Sequence, residues 1–79
     1  MEVTLDPRHN IAYIRFREKA DEVETIRISD EVNIDLAPDG KIYGLELLNA
    51  NEQLKEGASR ILVTNEATGF SEEIVLPAA

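Results

Sequence analysis

The chain has 79 residues, with sixteen acidic against eight basic side chains and a formal net charge of −8, which leaves room for one domain and not two. The charge argues against nucleic acid, because a phosphate-tracking surface needs a basic patch. Hydrophobic residues at 43% suffice for a core, two Tyr and two Phe leave little for stacking platforms, and the lack of cysteine excludes thiol redox chemistry and Cys-based zinc sites.

Period-two alternation, the mark of half-buried strands, dominates the first half. Val3 and Leu5 alternate with Glu2, Thr4 and Asp6 in a first strand. Asp6-Pro7-Arg8-His9-Asn10 reads as a turn, since Pro presets φ and Asn tolerates a left-handed backbone. A second strand follows, with Ala12, Ile14 and Phe16 on the core face and Ile11, Tyr13, Arg15 and Arg17 on the other. Residues 18–22 read as loop. Ile26, Ile28, Val32, Ile34 and Leu36 share one parity around Asp30, which fits either a long strand bent near Asp30-Glu31 or a hairpin with the loop Ser29-Asp30-Glu31. The bent strand is preferred, because no Gly or Asn serves the turn.

Ala37-Pro38-Asp39-Gly40 predicts a type I turn closed by a left-handed glycine, hence a hairpin. In the next strand the phase switches between Ile42 and Leu45 with Gly44 between them, so a bulge at Gly44 would bring Ile42, Leu45 and Leu47 to one face and turn Glu46 outward. Asn49 with Glu52 three positions on suggests a capping box opening a short helix over 50–56, with Ala50 and Leu54 on the sheet and Gly57 ending it. Residues 60–64 and 70–76, around a Gly69-closed loop, read as a C-terminal hairpin. The rival is a longer helix through Gly57, which the β-branched run disfavours. The expected fold is α+β: a mainly antiparallel sheet, a meander of hairpins, with one short helix. One domain spans 1–79, a strand core plus helix over 1–56 and a hairpin extension over 57–79.

The ordered set Asp6-Pro7, Tyr13-Ile14, Val32-Asn33-Ile34-Asp35, Asp39-Gly40 and Gly44-Leu45-Glu46-Leu47-Leu48-Asn49-Ala50 resembles a family of small prokaryotic proteins catalogued as domain-of-unknown-function family 2283. The likeness covers roughly residues 3–54, and its most specific part is the Asp-Gly turn followed by the Gly44–Ala50 motif. Asn10 departs from the family, which more often has Asp there, and the segment after Lys55 extends past the shared core. The resemblance implies a strand-rich domain in a bacterial or archaeal cytoplasm and no activity. Some members resemble partners of small toxin-like proteins. The absence of cysteine agrees with a reducing cytoplasm. No apolar run approaches eighteen residues, and no basic region precedes an apolar stretch at the N-terminus, so neither a membrane span nor a signal peptide is expected.

No arrangement of side chains predicts catalysis, and no cofactor is expected. His9, the lone histidine, lies in a turn without a second His or a Cys to complete a metal site or triad. Ser29, Ser59 and Ser71 lack a nucleophile elbow. Asp35 and Asp39 bracket the turn and are weak candidates for a divalent metal, although the spacing lacks the alternating ligands of an EF-hand. Pro38, Asp39, Gly40 and Gly44 are assigned structural turn and bulge roles.

Tyr13, Arg15, Arg17 and Arg27 on one face, with Glu46, form the candidate interaction surface. Glu46, if covered, needs a cation, and the three arginines are candidates. Charge is polarised: residues 1–27 hold five bases against six acids, residues 28–79 three against ten. The expected function is a non-catalytic interaction module that forms a homodimer and meets, in an antitoxin-like version, a small basic protein. The alternatives are a small-ligand or metal-binding protein and an enzyme with an intersubunit site.

Overall fold

Hairpins set the architecture. The structure, a computed structural model, describes residues 1–18, 22–56 and 60–77. β1 (Glu2–Asp6) pairs antiparallel with β2 (Ile11–Arg15), with Asp6 opposite Ile11. Asp6 Oδ1 accepts the backbone N–H groups of Arg8 and His9 at 3.0 and 3.3 Å, and Asn10 closes the turn at φ 57°. The turn chemistry thus acts through the acid that precedes Pro7 as well as through the left-handed Asn.

β3 (Glu24–Arg27) and β4 (Val32–Leu36) form a second hairpin, with Ile26 opposite Ile34. The long bent strand does not form. The loop Ser29-Asp30-Glu31 closes without a left-handed residue: Val32 O accepts the N–H groups of Ile28 and Ser29, Ser29 Oγ accepts the Glu31 N–H at 3.1 Å, and Arg27 grips Asp30. Side chains supply what Gly or Asn would otherwise provide.

The chain then turns through Ala37-Pro38-Asp39-Gly40, where the Gly40 N–H donates to Ala37 O at 2.9 Å and Gly40 sits at φ 83°. β5 (Ile42–Leu47) inserts between β2 and β4, so the five-stranded sheet runs β1-β2-β5-β4-β3. The register slips between Asp35, opposite Gly44, and Leu36, opposite Ile42. Tyr43 is the extra residue, and the bulge lies beside Gly44 as the phase switch implies. α1 (Ala50–Glu56) packs on β2, and β6 (Arg60–Thr64) pairs with β7 (Ser71–Val75) in a separate hairpin closed by Gly69 at φ 74°. The fold is α+β, as the periodicity implies. Gly57 as helix terminator lies outside the described residues.

Helix capping departs from the sequence reading. Asn49 is left-handed at φ 51°, and it is the β1–β2 turn that caps α1. Asn10 O accepts the Ala50 N–H at 3.0 Å, Asn10 Oδ1 accepts the Asn51 N–H at 2.8 Å, and Asn10 Nδ2 donates to Asn51 Oδ1 at 2.7 Å. A helix of seven residues is too short to stand alone, and a long-range cap is what fixes it. Gln53 holds its other side, donating to Leu48 O and Glu31 O.

Register makes the sheet two-faced. Val3, Ile14, Leu45, Ile34 and Ile26 form one row across all five strands, and Leu5, Ala12, Leu47 and Val32 form the next. The opposite face carries the rows Thr4-Tyr13-Glu46-Asn33-Arg27 and Glu2-Arg15-Gly44-Asp35-Thr25. Among the described residues, only the β1–β2–β5 end of the apolar face is covered. There α1 and the root of the C-terminal hairpin enclose an apolar cavity of about 160 Å³ lined by Val3, Ala12, Ile14, Leu47, Leu54 and Ile61. Ala12 and Ala50, each 1% exposed, are the fully buried hydrophobic residues among those described.

Candidate functional site

The polar face is satisfied from within. The Tyr13 hydroxyl donates to Asp35 Oδ2 at 2.7 Å, and Thr25 Oγ1 donates to Asp35 Oδ1 at 2.6 Å, so both carboxylate oxygens are taken. Burial first, then the hydrogen bond to the Asp35 carboxylate, pushes the Tyr13 phenol above its ordinary range, because both oppose a phenolate. The ring lies over Gly44: a Cβ there would meet the Tyr13 hydroxyl at 2.5 Å and two ring carbons at 2.7 Å. Gly44 is therefore required by a close approach. Tyr43, extruded by the bulge, stands with its ring centre 6.4 Å from that of Tyr13.

Tyr13, Arg15, Arg27 and Glu46 share this face, as the alternation implies. Each has a partner within the chain. Glu46 accepts from Asn33 Nδ2 at 3.0 Å. The three arginines pair elsewhere: Arg15 with Glu2 at 3.8 Å, Arg17 with Asp39 at 3.0 Å, and Arg27 with Asp30. The amide opposite Glu46 in the strand register is a neutral donor to one oxygen of a part-solvated carboxylate. Asp35 as the hub of this face, together with Thr25 and Asn33, is what sequence reasoning missed. The signal was there, since Thr25 and Asn33 hold the same parity as Asp35 and Arg27.

Asp35 and Asp39 hold different partners. Asp39 Oδ1 accepts the Lys41 N–H, and Oδ2 accepts from Arg17; these interactions keep its carboxyl below the usual range. Among the described residues, no three His, Cys, Asp or Glu side chains are grouped to hold a metal ion. His9 Nδ1 lies 2.7 Å from Asp6 Oδ2 in an exposed turn, and that hydrogen bond lowers the Asp6 carboxyl. Ser71 Oγ hydrogen-bonds Thr64 Oγ1 at 2.8 Å. Pro38, Asp39 and Gly40 build the β4–β5 turn.

The unsatisfied surface is on the other face. Beyond the reach of α1 and the hairpin, Ile26 and Ile42 are exposed, Ile28 is 58% exposed, and Phe16, in phase with Ile14, is exposed as well. An open groove of about 310 Å³ continues this end past Leu36 to Val23, Pro38 and Gly40. No helix among the described residues is long and apolar enough to cross a membrane.

No curated protein and no solved structure matches the chain. Residues 2–51, which run from β1 through the whole sheet to the start of α1, match the model of the family described as protein of unknown function (DUF2283), and the chain belongs to that family.

Proposed function

We propose that this protein is a non-catalytic interaction module whose open apolar face docks a second copy of the same chain. The observation that carries the reading is surface area. A folded monomer of 8.8 kDa exposes about 4,800 Å² by the usual scaling with mass, whereas this chain exposes 5996 Å². Its Cα radius of gyration is 14.0 Å, against about 12 Å for a compact domain of this length. The surplus, about 1,200 Å² per chain, is of the order that a stable interface removes from each partner. The polar face, with its hydrogen bonds made internally, offers less to gain from docking.

The mass in solution tests this. Light scattering or native mass measurement across a hundredfold concentration range is expected to give twice 8.8 kDa. A mass of one chain throughout that range overturns the reading. The acid excess, concentrated after residue 27, supports the antitoxin-like version, in which the dimer meets a small basic protein with electrostatics speeding encounter. Co-expression with the product of the adjacent gene is expected to add its mass to the dimer. An unchanged dimer mass counts against that version alone.

A further inference from the structure

We infer that the C-terminal hairpin is the arm of this dimer: β6–β7 of one copy lies across the open end of the apolar face of the other, over Ile26, Ile28 and Ile42. The inference rests on the self-association proposed above and names the element that carries it.

Beyond its root, the arm has no seat among the described residues. Alternation puts Ile61, Val63 and Ile74 on one side of the ribbon and Leu62 and Val75 on the other. The home sheet takes Ile61 at the root. Leu62 remains 62% exposed, Phe70 66% and Val75 74%, with Val63 and Ile74 more than half exposed. An isolated two-stranded hairpin is marginal in water and needs a surface to rest on. This hairpin carries apolar side chains on both sides, a pattern suited to a ribbon held between two surfaces.

Among the described residues, none covers the seat. β3, β4 and β5 at their open end span roughly 10 Å at the usual strand spacing, and a ribbon of two five-residue strands is about 17 Å long, enough to cross them. Docking through the edges is less favoured. β3 is a four-residue edge strand bearing Glu24 and Arg27, which is how natural sheets blunt an edge. One chain thus carries both an arm and a seat. A two-fold arrangement uses two of each and closes, leaving neither exposed.

The chain contains no cysteine, so single-cysteine variants report on proximity without background. Full-length Ile28→Cys and Leu62→Cys copies are purified separately, mixed, and treated with a short bis-maleimide while their mass is followed. The expected product is the mixed cross-link between one copy of each variant, exceeding either like-with-like product at least tenfold. A dimer by mass that yields only like-with-like cross-links overturns the arm and leaves self-association standing. Monomers by mass overturn both. As a second measurement, Leu62→Glu changes a side chain exposed in the free chain and is expected to leave the circular dichroism unchanged while weakening dimerisation at least tenfold. Undiminished dimerisation of that variant also overturns the arm.

Discussion

Gly44 and Tyr13 are a single design at the residue scale. The phenol is tethered to Asp35 at 2.7 Å, so the ring cannot swing away from a new Cβ without giving up that hydrogen bond. Gly44→Ala is expected to cost about 1–3 kcal/mol, the usual range for overpacking a tight site. The same substitution in a Tyr13→Ala background is expected to cost less, a coupling that a double-mutant cycle in urea measures. Equal costs in both backgrounds would mean that the ring is not what Gly44 accommodates. The tyrosine also gives a pH signature. A phenol whose pKa is raised on folding stabilises the fold below its unfolded value of about 10, and that contribution is lost as pH rises towards the folded value. The chain has two tyrosines, so Tyr43→Phe leaves Tyr13 alone in the phenolate absorbance. Its midpoint is expected above about 10, and a midpoint at or below that value refutes the part-buried hydrogen bond to Asp35. Gly44 was readable in the sequence as a phase switch. Its partner was not, because Tyr13 reaches it only through the β2–β5 register.

At the scale of elements, what could be read followed from local chemistry. The Pro38-Asp39-Gly40 turn, the Gly69-closed hairpin and the 50–56 helix each carry their signal within a few residues. The β3–β4 loop carries none of the usual turn residues with a left-handed backbone, and its closure by Ser29, Arg27 and Asp30 side chains is invisible to turn propensity. The helix cap failed for the opposite reason: the residue that satisfies the Asn51 N–H is Asn10, in a different hairpin. That link ties the β1–β2 turn to α1, and removing it is expected to loosen both. Asn10→Ala loses the cap, worth about 1 kcal/mol, and strains a left-handed backbone by a further 1–2 kcal/mol. Asn10→Asp keeps the acceptor for the Asn51 N–H and gives up the donation to Asn51 Oδ1. Chemical denaturation is expected to rank the three wild type, Asp, Ala in falling stability. Ala equal to wild type would show that α1 is held without Asn10.

For the whole molecule, neither strand order nor coverage follows from periodicity. β5 enters between two finished hairpins, and α1 with the root of the C-terminal hairpin then covers one end of the apolar face. Alternation names the apolar face correctly and is silent on how much of it the chain can cover. The polar face stands out in the sequence for its arginines and its tyrosine, and the exposed isoleucines of the sheet lie on the opposite face. Charge separates the two associations proposed for this molecule. Two copies at −8 each repel at long range, so added salt is expected to strengthen self-association while weakening the capture of a basic partner.

If the surplus surface is buried only between copies, stability must depend on protein concentration, because folding and association then form one equilibrium. Each tenfold rise in concentration adds about 1.4 kcal/mol per dimer, or about 0.7 kcal/mol per chain. For a domain of this size 1 kcal/mol moves Tm by about 4–8 °C, so Tm is expected to rise by roughly 3–6 °C per decade. Leu62→Glu, which removes an arm contact and nothing from the chain's own core, is expected to flatten that slope. A wild-type Tm indifferent to concentration over two decades would mean that the open face contributes nothing to the folded state and that each chain is stable with its apolar sheet in water.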